Sequence, residues 1–367
     1  MKLCIIYNFA AHYRTSVFVE LDREYACDWF FGKKQEDVRK MDYRLLQGKV
    51  TELEGWSWRG LEYQKGIQKL LFRDYDAFLV SGLTRSLSTW LFAIRARLFH
   101  PGKKVYFWTH GFYGKESKPE AFVKRLLFRL PAGGNFTYGN HARELMVREG
   151  IPAGKIFVIH NSLDYERQLE LRNSGLASAV YREHFRNADP TLVFIGRLTA
   201  VKQLDLLIGA LSLLVERQQP CNLVFIGDGT ERKSLEARTA ASGLQDRVWF
   251  YGACYDEKTN AALIYNADLC VSPGNVGLTA MHAMVYGTPV VSHDDFAWQM
   301  PEFEAIRPGR TGDFYRHGDA AALADTIQQW FETHADRESV RQSCFGEIDT
   351  GWTPAFQLHV LKEHLKR

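Results

Sequence analysis

Residues 272–295 read SPGNVGLTAMHAMVYGTPVVSHDD, and the fold is decided by how this stretch is parsed. It follows a short apolar run, ADLCV at 267–271, with the length and composition of a buried parallel strand. Pro273, Gly274, Asn275 and Gly277 then make a loop whose two glycines let the backbone approach a ligand closely. Residues 278–286 carry apolar side chains at helical spacing, and Gly287-Thr288-Pro289 ends that helix before a further strand at 290–292. A glycine loop feeding a helix aims unpaired backbone N–H groups, and about half a positive charge, at whatever lies over the loop. Such a place suits an anion, for example a diphosphate. The same pattern also occurs in α/β proteins that bind nothing there.

Working outward, a chain of 367 residues is long for one hydrophobic core and points to two domains. The formal net charge of +3 carries no footprint of nucleic-acid binding. The charge is unevenly spread, because residues 85–129 hold ten Lys/Arg against only Glu116 and Glu120. Six cysteines are scattered without a CxxC or any metal-ligand spacing, and several fall inside expected strands, where a thiol is a small hydrophobe. That favours a reducing compartment. No apolar run reaches the roughly 18 residues of a spanning helix, and Met1-Lys2 leads directly into a strand, so the expected location is cytoplasmic.

Strand patterns recur at 2–7 (KLCIIY), 27–31, 77–81 (AFLVS), 104–109 (KVYFWT), 135–138 and 156–159, with helical patterns at 16–24, 88–99 and 142–149. A polar segment ending in Asn187-Ala188-Asp189-Pro190 follows, and its proline disfavours helix at Asp189. The alternation then restarts at 191–195 (TLVFI), 222–226 (NLVFI), 248–251, 269–271 and 290–292, and the tail 320–366 reads as helical with a kink or break at Pro354. Alternation of this kind implies an α/β fold of two doubly wound parallel-sheet domains, with ligands at the carboxyl ends of the strands. The expected division is 1–165, a linker region at 166–189, a second domain at 190–340, and C-terminal helices at 341–367 that pack back on the first domain.

Two strand ends in the second half deliver notable groups. After 191–195 comes Gly196-Arg197-Leu198-Thr199-Ala200-Val201-Lys202, where Arg as a planar fork and Lys as a point charge are able to reach one diphosphate. The alternative is a pair of solvated surface cations. After 222–226 comes Gly227-Asp228-Gly229, either a ligand contact or a plain βα turn.

The succession FIGRLTAVKQLDLLIGAL (194–211), LVFIGDGTERKSLE (223–236), VWFYGAC (248–254) and VGLTAMHAMVYGTPVV (276–291) resembles the retaining glycosyltransferases of the GT-B fold, family 4 type. Four motifs fall in that family's order and spacing across most of 190–312, and HNSLD at 160–164 resembles the turn before its linker. The resemblance implies two Rossmann-like domains facing across a cleft, and sugar transfer from a UDP- or GDP-type nucleotide sugar to a glycan or lipid-linked acceptor hydroxyl. The expected enzyme is cytoplasmic and works in surface polysaccharide or lipopolysaccharide assembly, with no resident cofactor, no metal and no nucleic acid. By the same resemblance the donor site comprises Gly196, Arg197, Lys202, Gly227, Gly274, Asn275, Val276, Gly277, Leu278, Thr279 and His282, with His110, Arg197 and Lys202 as catalytic groups.

The chain departs from that family at one point: the family's two glutamates, eight apart, align with Gly274 and His282. A histidine is able to hydrogen-bond a ribose hydroxyl, whereas Gly274 offers only backbone. His282 is thus either a ribose partner or a partly buried helix histidine with a local partner. His12 and Arg14, in the first strand-to-helix loop, are either ligand contacts or surface residues. No paired carboxylates suit a double displacement, which implies front-face transfer, and no DxD-type ligand motif sits where it would serve. Two apolar-basic stretches, WLFAIRARLF (90–99) and FVKRLLFRL (122–130), read as helices with peripheral contact at the inner membrane or as ordinary amphipathic helices. The rival functions are a non-catalytic nucleotide-sugar or glycan binding protein and a GT-B nucleotide-sugar epimerase.

Overall fold

A computed structural model describes residues 1–33 and 38–365, so the end of the expected helical tail, Lys366 and Arg367, lies outside the described residues. The chain divides into two compact units, Met1–Asp164 together with Trp352–Arg367, and Tyr165–Gly351.

In the first unit the strands are β1 (Lys2–Tyr7), β2 (Ala26–Gly32), β3 (Lys49–Leu53), β4 (Gly55–Trp58), β5 (Leu61–Gln64), β6 (Ala77–Ser81), β7 (Lys104–Thr109), β8 (Gly134–Thr137) and β9 (Ile156–Val158). All but β4 and β5, which form a separate antiparallel hairpin, belong to one parallel sheet in the order β3-β2-β1-β6-β7-β8-β9. Both faces of this sheet are covered, which is why its central strands are continuous apolar runs rather than alternating ones. Along β1, Leu3, Ile5 and Tyr7 pack with Phe18 and Leu21 of helix Thr15–Glu24 and with Val360 and Leu361 of helix Pro354–His364. Cys4 and Ile6 point the other way, onto Phe92 and Ala96 of helix Leu87–Phe99 and Leu127 of helix Lys118–Phe128. Serine caps start the last two helices, with Ser86 accepting from Thr89 N–H and Ser117 from Glu120 N–H.

The second unit contains β10 (Thr191–Ile195), β11 (Asn222–Ile226), β12 (Val248–Gly252), β13 (Leu269–Ser272), β14 (Val290–His293) and β15 (Gly312–Tyr315). They form a parallel sheet in the order β12-β11-β10-β13-β14-β15. The chain winds outward from β10 in one direction and from β13 in the other. The carboxyl ends of β10 and β13 therefore flank the point where the strand order reverses, the place where open α/β sheets bind ligands.

The segment 166–189, expected to be a linker region, contains helices Tyr165–Arg172 and Val180–Phe185, and both are fastened into the second unit. Tyr181 Oη donates to Leu263 O at 2.6 Å, and Gln168 Nε2 donates to Glu257 at 3.1 Å. At the other end, helix Arg337–Gly351 stays with the second unit, its Arg341 donating to Tyr286 O at 3.1 Å. The return to the first unit begins at Trp352. Thr353 caps helix Pro354–His364 with Pro354 in its first turn, and Gln357 bridges His160 O (2.8 Å) and Ser162 Oγ (2.6 Å).

Candidate functional site

Strands β10, β11 and β13 end in loops that close on one another through glycines. Gly227 has φ +154°, and a Cβ there would meet Gly196 O at 1.8 Å. Gly196 N–H donates to Ile226 O, and Leu198 N–H to Asp228 O, so the first two loops run edge to edge beyond their strands. Gly274 makes the third closure. Its N–H donates to Lys202 O at 2.9 Å, and a Cβ would meet Val201 O at 2.1 Å and Lys202 Cα at 2.7 Å. The glycine at the position of the family's loop glutamate is thus demanded by backbone contact.

That closure sets Lys202. Its Nζ donates to Asn275 O (2.6 Å) and Asn275 Oδ1 (2.9 Å). Among the described residues no carboxylate lies within ion-pair distance of the ammonium. Burial pulls its pKa down from 10.5 to about 8; the carboxylate of Glu302 opposes that shift, and the positive charge of Arg197 adds to it. Arg197 itself is exposed, while Glu302, on the turn Pro301–Ala305, is buried. Nothing in the spacing of the earlier motifs marks Glu302, because it comes from a turn beyond β14.

The loop 273–277 is held from beneath by buried polar side chains. Ser292 Oγ lies 2.8 Å from Ser272 O and 3.2 Å from Gly274 O, and Tyr315 Oη donates to Pro273 O at 2.8 Å. Gln299 donates through Nε2 to Ser292 Oγ and His293 O, and its Oε1 accepts the Val276 N–H at 2.9 Å. The expectation that the Val276 N–H faces a ligand therefore fails: Gln299 takes it. The helix expected at 278–286 is also shorter, Thr279–Met284, and Thr279 Oγ1 donates to Ile195 O at 3.0 Å, tying its start to β10. Gly277 and Leu278 lie partly exposed in the turn between.

His282 does have a local partner. Its Nε2 is 3.0 Å from Glu257 Oε1, the same oxygen that accepts from Tyr286 Oη (2.7 Å) and Gln168 Nε2 (3.1 Å). Burial alone would raise the Glu257 pKa, but the bonds from His282, Tyr286 and Gln168 overrule it and hold the carboxyl down at about 2. Glu257 begins helix Glu257–Asn266, behind the capping Asp256. In the sequence it reads only as a first-turn acid, and its convergence with His282 is a tertiary fact.

His110 lies in the other unit, just after β7. Its ring is 4.6 Å from that of Tyr138, and its buried Nδ1 has no hydrogen-bond partner among the described residues. Burial, then the charges of Arg14 and Lys124, pull its pKa to about 4, so the imidazole is neutral at pH 7. His12 is exposed with Nδ1 3.2 Å from Arg39 O, whereas Arg14 is buried and is no surface residue. Among the described residues no group of three His, Cys, Asp or Glu side chains is placed to hold a metal ion.

Two outcomes follow from these contacts. Gly274→Glu, which puts back the family's loop carboxylate, will destabilise the protein by about 2 kcal/mol or more in urea denaturation, because its Cβ overlaps the 201–202 backbone; a variant as stable as the parent would contradict the contact. Glu257→Gln will flatten the acid limb of stability. A carboxyl with its folded pKa depressed to about 2 contributes stability above its unfolded value near 4.5 and loses it as pH falls toward 2. The urea midpoint of the parent should therefore fall more steeply than the variant's across that window.

Comparison with known proteins places this geometry. A profile of the family described as Glycosyl transferases group 1 matches residues 181–343. The putative glycosyltransferase EpsD of Bacillus subtilis (strain 168) is 31% identical over 242 residues, 63% of this chain and 61% of that protein; the chain thus spans about three fifths of that relative. Among solved structures, Anabaena HepE in complex with UDP superposes with a TM-score of 0.73 at 17% identity, over 100% of this chain and 99% of that one. The apo form of WaaB, a lipopolysaccharide outer core galactosyltransferase, gives 0.72 at 17% identity with the same coverage. At such identity these two likenesses are likenesses of fold. Residues 181–343 thus match the glycosyl transferases group 1 family, and the two parallel-sheet units have the GT-B fold.

Proposed function

We propose that the protein is a retaining glycosyltransferase that moves a sugar from a UDP- or GDP-type nucleotide sugar to a hydroxyl of a glycan or lipid-linked acceptor, in surface polysaccharide or lipopolysaccharide assembly. The observation that carries this reading is the half-buried Lys202 ammonium, held at the switch point of the sheet with no carboxylate among the described residues paired to it. Support comes from relatives of the same fold, since HepE was solved with UDP and with UDP-glucose, and WaaB is a lipopolysaccharide galactosyltransferase.

In this reading Lys202 and Arg197 meet the negative charge that grows on the diphosphate as the glycosidic bond breaks. Preorganised donors of this kind contribute a few kcal/mol each, roughly, when the charge is larger in the transition state than before it. The cations do this without a metal. The departing phosphate oxygen takes the proton of the acceptor hydroxyl on the same face, which gives retention. Gly196, Gly227 and the loop 274–279 form the bed of the donor, His282 meets the ribose through the nitrogen turned away from Glu257, and the neutral His110 of the first unit is a hydrogen-bonding group for a sugar.

Acceptor delivery from a membrane face is the second part of the proposal. Helices Leu87–Phe99 and Lys118–Phe128 bury their inner sides in the same apolar cluster. Leu98, Phe99 and Phe122 stand 66%, 72% and 54% exposed on these helices beside the exposed Arg95, Arg97 and Lys118. An apolar outer side flanked by cations suits an anionic lipid surface. No helix among the described residues is long and apolar enough to cross a membrane.

For the donor site, Arg197→Ala and Lys202→Ala should each weaken UDP or GDP binding about 10- to 100-fold by calorimetry, the worth of a hydrogen bond to a charged group. A parent protein whose stability no nucleoside diphosphate raises would end the reading. Because the free Lys202 titrates near 8 and a bound diphosphate favours its charged form, binding at pH 8–9 should take up a proton. The measured enthalpy will then vary with the ionisation enthalpy of the buffer, and Kd will loosen as pH climbs past about 8; in Lys202→Ala both effects should vanish. For the membrane face, the parent should co-sediment with phosphatidylglycerol vesicles and not with phosphatidylcholine vesicles, and the double substitution Leu98→Glu, Phe99→Glu should abolish it. Equal recovery with both lipids would speak against the proposal.

A further inference from the structure

Arg14 closes the turn that follows β1 and is only 7% exposed. Its guanidinium carbon lies 5.3 Å from the ring of Tyr7, 5.4 Å from that of Trp108, 5.2 Å from that of Tyr138 and 5.8 Å from that of Tyr13. Nη2 donates to Tyr138 Oη, while Nη1 is buried with no hydrogen-bond partner among the described residues. Among the described residues no carboxylate pairs with it. A guanidinium does not shed its proton inside a protein, so this charge is permanent. Aromatic faces offset part of the lost hydration, yet a buried cation without a counter-ion and with unmet N–H groups is destabilising.

Three further buried polar atoms in the same box lack hydrogen bonds among the described residues, Tyr7 Oη, Trp108 Nε1 and His110 Nδ1. Buried groups of this kind are nearly always satisfied in a folded protein, so four in one box call for a cause. The box stands at the carboxyl ends of β1, β7 and β8, the edge where a parallel sheet receives ligands. Its floor is Tyr7, Trp108 and Tyr138, all buried, and its partly exposed members are Tyr13 and His110.

We propose that this box binds one oxyanion, a carboxylate or a phosphate carried by the acceptor sugar. The guanidinium fork supplies the charge and the geometry, and the aromatic walls take the apolar C–H face of the ring. Tyr13, the partly exposed ring over the guanidinium, turns aside to admit it. Naming the ligand an acceptor rests on the proposed transferase reading, in which Arg197 and Lys202 of the second unit already serve the donor diphosphate; that an oxyanion binds here does not.

The test measures binding of methyl glucuronoside, glucose 6-phosphate and neutral methyl glucoside to the full chain by calorimetry, with UDP titrated separately. One or both charged probes should bind at least tenfold more tightly than methyl glucoside, and the preference between them identifies carboxylate or phosphate as the source. In Arg14→Met that preference should disappear, UDP affinity should stay within twofold of the parent's, and the ligand-free melting temperature should equal or exceed the parent's, since an unpaired buried charge has been removed. A parent protein with no preference for the charged probes overturns the inference whatever the variant does, even if UDP binds. An Arg14→Met protein that melts well below the parent and keeps the preference overturns it in favour of a structural arginine. Loss of UDP affinity on the scale of Arg197→Ala overturns it in favour of the donor site. A parent that prefers the charged probes but ignores every nucleotide sinks the transferase reading and leaves this site standing.

Discussion

Gly274 rests on the peptide between Val201 and Lys202, too close for any side chain, and the second unit's site is built around that contact. The approach ties the loop after β13 to the loop after β10, so the lysine that ends the second is forced to bond the asparagine of the first. The loop cannot lift away, because Ser292, Gln299 and Tyr315 hold its carbonyls and N–H groups from below with bonds that are all buried. Buried and fully bonded polar networks of this kind fix a single backbone arrangement. The ammonium is consequently preorganised before any ligand arrives, which is the condition under which a charge contributes to a transition state without reorganising.

The same contact explains where the carboxylates went. A glutamate at 274 is sterically excluded, and 282 is a histidine, yet the neighbourhood is not stripped of acid. Glu302 sits buried near enough to Lys202 to oppose its deprotonation, and Glu257 holds His282 from the adjacent helix. Glu257 is locked in the ionised form by three donors on one oxygen. The family's two acidic positions have thus been exchanged for acids reached through the fold rather than along the motif, one facing the lysine and one behind the histidine.

Much of this was legible in the residues. Continuous apolar strands such as KLCIIY and TLVFI required parallel sheets covered on both faces, and the motif order placed Arg197, Lys202, Gly227 and Gly274 at strand ends. What escaped has identifiable causes. β3 (KVTEL), the hairpin β4–β5 and β15 (GDFY) are short, edge or polar strands, set by pairing rather than by their own pattern. The helices inside 166–189 looked like linker because each buries only one or two side chains, Gln168 and Leu171 in one and Tyr181 in the other. Gln299, Glu257 and Glu302 are isolated polar residues whose roles exist only once distant elements meet. The occupied Val276 N–H could not be foreseen, since its acceptor comes from 23 residues further on.

Lys202 and Arg14 present the same physical problem in the two units and resolve it differently. Each is a cation taken largely out of water with no carboxylate among the described residues bonded to it, an arrangement whose desolvation cost packing does not return. Lysine is able to reduce that cost by releasing its proton, and its pKa has moved to about 8, close to the point where it would. Arginine has no such recourse, so its box relies on ring faces and a single phenol and still leaves an N–H group unmet. A tunable charge suits a group that meets an anion whose charge changes during a reaction. A permanent one suits a group that holds an anion whose charge does not. The division of the two cations between a fixed and an adjustable form follows from side-chain chemistry alone.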